Sequence, residues 1–254
     1  MNDTIPLLEY DPAPNAILEP IGTKTSEHAP ERCVLCFFQE VIDELRDCGK
    51  LRRIGRLKSE IGENPLYILV QDGQDLLVAH PGVGAPLAAG FLEEIIALGV
   101  NRFIACGGCG VLDSAIAAGH AVVLASAVRD EGTSYHYLPP AREVAASPQA
   151  VAALEAVLRG RNIPYLIGKS WTTDAIYRET AGRRVKRITD GCQVVEMEAA
   201  ALFAVARFRQ VVFGQLVYGG DLVVPDGWDS RDWYKRNSVR EMIFQLAVEA
   251  VLGL

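Results

Sequence analysis

A chain of 254 residues, half of them hydrophobic and 22% charged, has apolar material for a sizeable core in one large domain or two small ones. Its 25 basic residues against 32 acidic give a net charge of −7, which argues against a nucleic acid partner. No apolar run is long enough to span a bilayer and the start Met1-Asn2-Asp3-Thr4 lacks a basic leader region, so the expectation is a cytoplasmic protein with no membrane partner.

Residues 1–30 are rich in proline and polar side chains without a sustained period and read as an extended arm, leaving 31–254 as the main domain. Residues 33–38 form the first convincing strand, and a helix over 39–49 follows with Val41, Ile42 and Leu45 on one face. Strands at 66–70 and 76–79 are joined by Asp72-Gly73, a hairpin signal. The turn Pro81-Gly82-Val83-Gly84-Ala85-Pro86 opens a helix over 87–98, and its glycines permit close approach of backbone to a ligand. A strand at 102–106 runs into Gly107-Gly108-Cys109-Gly110. Then come a strand at 121–126, a helix over 148–159, a strand near 164–169, a polar and aromatic loop at 171–180, a strand at 211–218 and a helix over 239–251. Strands alternating with helices, with glycine turns at strand ends, predict a single α/β domain: a mixed central β-sheet flanked by helices.

The six cysteines include the pairs Cys33/Cys36 and Cys106/Cys109. Zinc ribbons hold such pairs about 15–20 residues apart on exposed knuckles, whereas these are far apart in apolar runs. Residues three apart in a strand also face opposite sides, so no metal is expected and the thiols read as buried and reduced.

The chemistry gathers around Val194-Val195-Glu196-Met197-Glu198-Ala199-Ala200-Ala201, where a β-branched strand meets two carboxylates and an Ala-rich helix. Acidic residues suit a helix's first turn, which is the plain structural explanation. A carboxylate wrapped in Val, Met and Ala nevertheless wants a partner, and a sugar supplies one: two hydroxyls donate to the acid while a thioether lies on the apolar sugar face. The segment closely resembles the ribose-binding Met-Glu segment of nucleoside phosphorylases of the purine and uridine phosphorylase type, a superfamily that also contains nucleoside hydrolases. The resemblance extends from about residue 78 to 252 and implies a nucleoside phosphorylase-like fold, with Glu198 and Met197 holding the ribose and Glu196 at the strand end.

Other roles follow from that resemblance. Asp221, after Tyr218-Gly219-Gly220, stands where purine-cleaving members have a catalytic acid. Protonating a departing purine there would need its pKa raised by about three units, roughly 4 kcal/mol. Trp171 has the position of the base-stacking aromatic, with Thr172, Thr173 and Tyr177 beside it; Ala175 and Tyr177 in place of a Gln and an Arg count against uracil. Phosphate-cradling elements are missing. Phe37-Phe38-Gln39-Glu40 replaces a Gly-Asp-Pro-x-Arg turn, and Ala105 and Gly108 replace a second Arg and a hydroxyl, with only Arg56 and Lys58 near for a third. An anion would then rest on a nest of backbone amides at Gly107 to Gly110, with Gly84 opposite. The hydrolases also lack those arginines and orient water with a glutamate, a part Glu40 could play. The expectation is a cofactor-free enzyme, homo-oligomeric, that cleaves a nucleoside, purine slightly favoured, with phosphate as acceptor. Hydrolysis by water and a non-catalytic nucleoside sensor stay open.

Overall fold

In the computed structural model, which describes residues 5–20, 23–225 and 227–254, the apolar run Cys33–Cys36 lies in β1 (Arg32–Cys36) and is buried throughout, as a strand covered on both faces requires. Helix α1 (Gln39–Asp47) follows and buries Val41, Ile42 and Leu45. Strand β2 (Leu51–Ser59), unforeseen because Arg52, Arg53, Arg56 and Lys58 occupy its solvent side, pairs antiparallel with β3 (Gly62–Gln71). β3 turns into β4 (Gln74–Ala79) through Asp72 and Gly73, whose φ values of 52° and 74° are those of a primed hairpin turn. The chain continues through α2 (Ala85–Ala97), β5 (Arg102–Val111), β6 (Ala121–Asp130), β7 (Glu143–Ala145), α3 (Pro148–Gly160), β8 (Tyr165–Thr173), α4 (Ala181–Thr189), β9 (Cys192–Glu196), α5 (Ala199–Arg209), β10 (Val212–Val224), β11 (Gly227–Asp229) and α6 (Asn237–Leu252). The arm's residues 1–4, 21 and 22 lie outside the described residues; what precedes Glu31 carries a 3-10 turn, Pro6–Leu8.

Among the described residues the strands form one mixed sheet in the order β11-β10-β6-β8-β9-β5-β1-β4-β3-β2. Part of it closes on itself, because β10 pairs with both β5 and β6, β6 with β8, β8 with β9, and β9 with β5. α2 and α5 cover one face over Phe103, Phe203 and Phe213, and α1, α3 and α6 the other over Ile104, Leu216 and Phe244. No helix among the described residues is long and apolar enough to cross a membrane.

β5 changes neighbours along one edge. β1 pairs with Arg102 to Cys106 and stops, and β9 takes over at Gly110 and Val111, while β10 runs along the opposite edge. The edge at Gly107 to Cys109 is thus left without a strand partner. Ligands in α/β sheets gather where neighbouring strands diverge at their carboxyl ends, and this is such a place.

Helix α3 sits against β10 with no room to spare: a Cβ on Gly214 would lie 2.7 Å from the Cβ of Ala150 and 3.3 Å from Cδ1 of Ile104. Gly214→Ala should therefore lose about 1–3 kcal/mol of stability through overpacking, measured as a lower urea midpoint at unchanged m-value. An unchanged midpoint would show that the helix can ride outward at no cost.

Candidate active site

The glycine run does not form the expected nest. Gly107 to Gly110 are extended within β5, because β10 pairs with them residue for residue as far as Cys109. Even-numbered residues of β5 direct their backbone groups toward the β1–β9 edge. Arg102 N donates to Glu31 O (3.1 Å), Cys106 O accepts from Phe37 N (3.0 Å), and Leu112 N donates to Gln193 O (2.9 Å). Strand alternation therefore turns the Gly108 amide into the gap, where the residue is exposed. The glycines admit aromatic rings rather than an anion cradle: a Cβ on Gly107 would meet the Phe37 ring at 3.2 Å, and one on Gly108 the Tyr218 ring at 3.3 Å.

Glu196 is occupied. Its Oε1 accepts from Ser170 Oγ (2.7 Å) and Thr172 Oγ1 (2.6 Å), and its Oε2 from the amides of Glu198 (2.7 Å) and Ala199 (2.6 Å). Thr172 Oγ1 in turn accepts from Ala200 N at 3.0 Å. These contacts cap α5, satisfying amides a helix start leaves unpaired and setting negative charge at its positive end. Glu196, expected at the strand end of the ribose-binding segment, and Thr172, expected beside the base-stacking aromatic, spend their hydrogen-bonding groups on the fold.

Glu198 is different. It is buried, accepting from the Gly84 amide at 2.6 Å and from the backbone of Met197, a residue that is itself half-buried. Burial raises both carboxyls of the pair. Four donors oppose the rise at Glu196, whereas the Glu198 carboxyl, next to the charge of Glu196, is pushed up to about 8. Gly84 starts α2 at φ 90°, following Gly82 at φ 80°, where a Cβ would strike Leu87 at 2.4 Å. Gly82 N donates to His80 Nδ1 (3.0 Å), and burial lowers the pKa of His80, favouring the neutral ring that can accept this bond. His80 stands directly before Pro81-Gly82, with no motif of its own to mark it in the sequence.

Asp221 belongs to β10, which continues past a register shift between Gly219 and Leu222. Its Oδ1 lies 3.5 Å from where a Cβ of Gly110 would be, and its Oδ2 accepts from Trp228 Nε1 at 2.6 Å. Glu179 faces it: burial and the charge of Asp221 push the Glu179 carboxyl up to about 7. Neither Trp228, 64% exposed, nor Glu179 was singled out in the sequence.

The expected base platform is corrected. Trp171 lies inside β8, fully buried among Leu112, Val128, Cys192 and Val195, with its indole N–H donating to Asp130 at 2.8 Å, so it has no free face for a base. β8 also takes in Thr172 and Thr173, both buried, where a loop was expected; Thr173 Oγ1 accepts from Ala175 N at 3.2 Å. Tyr177, in a 3-10 turn beyond, is 94% exposed. The pattern misleads because an aromatic-hydroxyl run is compatible with both a binding loop and a strand end.

A cleft of about 1200 Å³ lies elsewhere, between the N-terminal arm, β2 and the α2–α5 pair, with Asp11, Lys24, Arg56, Glu93, Tyr137 and Arg209 on its walls. It shares none of the strand-end residues, so volume and chemistry part company. The hydrogen-bond geometry at the end of β5 is the better guide to function.

A family model described as the phosphorylase superfamily matches residues 31–248. The chain belongs to that superfamily. Over 195 residues it is 31% identical to the guanosine phosphorylase of Halorubrum lacusprofundi, covering 73% of this chain and 81% of that one. Among solved structures, purine nucleoside phosphorylase from Toxoplasma gondii in complex with immucillin-H superposes with a TM-score of 0.77 at 20% identity, covering 91% of this chain and 97% of that one. AMP nucleosidase from Bacteroides thetaiotaomicron superposes with a TM-score of 0.70 at 20% identity, covering 88% of each. At that identity the two structures speak for the fold alone.

In this member of the phosphorylase superfamily, Glu40 does not stand free to orient water. Its carboxylate is ion-paired with Arg240 of α6, a buried residue that no sequence pattern had pointed to. Arg56, on the outlying strand β2, pairs with Glu63 at 2.7 Å.

Glu198 sets a pH signature. Its folded pKa lies above the ordinary carboxyl value of 4.5, so between pH 4.5 and about 8 the native state keeps a proton the unfolded chain has released. Stability contributed by that proton is complete below 4.5, is lost as pH rises through the window at up to about 1.4 kcal/mol per unit, and changes no further above it. In urea titrations from pH 5 to 9 the stability of the wild type relative to Glu198→Gln should fall with rising pH. Parallel curves would place the Glu198 carboxyl in an ordinary environment.

Proposed function

We propose that this protein is a cofactor-free nucleoside phosphorylase that cleaves the N-glycosidic bond of a purine nucleoside with phosphate as acceptor. The observation that carries the reading is Glu198, a buried carboxyl met by the backbone of Gly84 and Met197, with the half-buried methionine beside it, in a chain 31% identical to a guanosine phosphorylase. A carboxylate so enclosed gains from two hydroxyl donors, which the 2′ and 3′ positions of a ribose offer together. Residues 31–254 form the catalytic domain, with the preceding segment as an arm. The active form is a homo-oligomer of at least two subunits working in the cytoplasm.

In this reading Glu198 and Met197 hold the sugar and Gly84 holds Glu198. Asp221 hands its proton to the purine ring nitrogen as the bond to the sugar breaks, which relieves the charge left on the base. Glu179 stands beside that acid, its own carboxyl pushed up to about 7 by burial and by the charge of Asp221. Trp228, whose indole N–H holds Asp221, takes the place beside the base first assigned to Trp171. Positioning and electrostatics supply the rate, without a covalent intermediate.

Hydrolysis is the second reading, favoured by Phe37-Phe38-Gln39-Glu40, which stands after β1 in place of a turn bearing a phosphate-binding arginine. Product analysis separates the two. Guanosine, inosine, adenosine and uridine incubated with and without phosphate should give free base and ribose 1-phosphate only with phosphate, purines ahead of uridine. Free ribose in both buffers would make the protein a hydrolase, and tight binding without release a sensor.

Two substitutions examine the assigned roles. Asp221→Asn should lower kcat for a purine nucleoside about 10²–10⁴-fold with little change in KM; equal losses in kcat and affinity would remove it from the proton transfer. Glu198→Ala should abolish the preference for ribosides over 2′-deoxyribosides, and a preserved preference would place the sugar elsewhere.

A further inference from the structure

We infer that Arg240 is the phosphate-binding arginine of this protein, and that in the free protein the Glu40 carboxylate occupies its guanidinium as a stand-in for the anion. The inference rests on the phosphorolytic reading of the site and names the residue that reading lacks.

Arg240 is 8% exposed and comes from the first turns of α6. Its Nε donates to the Tyr218 hydroxyl at 3.0 Å, one terminal nitrogen donates to Glu40, and the other reaches Trp233 O at 3.4 Å. The guanidinium carbon lies 5.4 Å from the Phe38 ring centre and 5.3 Å from that of Trp233. Two aromatic faces and a phenol thus fix the cation, a desolvated setting that leaves some of its N–H donors unspent. Tyr218 carries this arrangement to the gap in β5: its hydroxyl oxygen stands 3.6 Å from the position of a Gly108 Cβ, beside the exposed residue whose amide turns into the gap.

Glu40 is the loose member of the pair. It lies in the first turn of α1, which starts two residues after β1 ends, so its carboxylate is at the rim of the same gap, and its side chain is 40% exposed against 10% for that of Arg240. Its field also reaches His80, the residue that anchors the Gly82–Gly84 turn, so acceptor side and sugar side are close neighbours. A planar fork that grips a carboxylate grips a phosphate equally well, and a more highly charged anion gains more from it. The Glu40 carboxylate, 40% exposed, can turn into solvent, and an anion that takes its place keeps the buried guanidinium partnered. No bond is made or broken in this exchange, in which one anion replaces another on a fixed cation.

Inorganic phosphate titrated into the full-length protein, followed by calorimetry, tests the exchange without requiring turnover, and the KM values for phosphate and nucleoside are measured alongside. Glu40→Gln should tighten phosphate binding and lower the phosphate KM about three- to fivefold, leaving the nucleoside KM in place. Adding Arg240→Lys to that variant should weaken phosphate about tenfold or more. Thermal unfolding checks that both variants are folded; if the double variant is not, Glu40→Gln alone decides. Unchanged or weaker phosphate binding in Glu40→Gln overturns the inference, as does loss of turnover both with and without phosphate, which would make Glu40 a catalytic base. If the wild type releases ribose rather than ribose 1-phosphate, the phosphorolytic reading fails by itself, and the titration still decides whether Arg240 is an anion site.

Discussion

The charge of Glu196 is sealed away from water, and its four hydrogen bonds tie β8, β9 and α5 into one rigid corner. Nearby chemistry depends on that corner. By accepting from the first amides of α5, Glu196 fixes the backbone of the following two residues, with Met197 half-buried and Glu198 under the Gly84 amide. It also keeps a negative charge close to Glu198, which adds to burial in raising that carboxyl. Two acids separated by one residue thus do opposite work: one is saturated by the fold and the other is left wanting a ligand.

Much of this was legible in the chain. Apolar runs with β-branched residues marked β1, β5 and β9, and Val41, Ile42 and Leu45 marked the buried stripe of α1, because periodicity reports burial directly. The Met-Glu segment was readable because both its apolar setting and its acids are local. Strand β2 was not, since its basic residues face solvent at the sheet's edge, where alternation alone carries the signal. Trp171 was misread for the opposite reason: an aromatic among hydroxyls suggests a pocket, and only the pairing of β8 with β6 and β9 shows it buried.

What no window of sequence could reveal is the partnership of Glu40 and Arg240, separated by 200 residues and joined only because α1 and α6 cover the same face of the sheet. The absence of the expected arginines from the turn after β1 and from β5 was visible; the arrival of another from the far end of the chain was not. The same holds for Trp228 and Glu179, which meet Asp221 through the β10–β11 hairpin and the loop before α4.

The exchange of partners along β5 bears on how such a protein can be altered. The donor at Gly108 belongs to the polypeptide itself, so replacing the residue can obstruct it but cannot delete it. The side chains around the opening, by contrast, hang from separate segments: the turn before α2, the start of α1, the hairpin after β10. New preferences can therefore be written into those borders one at a time, over a foundation that any sequence compatible with this sheet will reproduce.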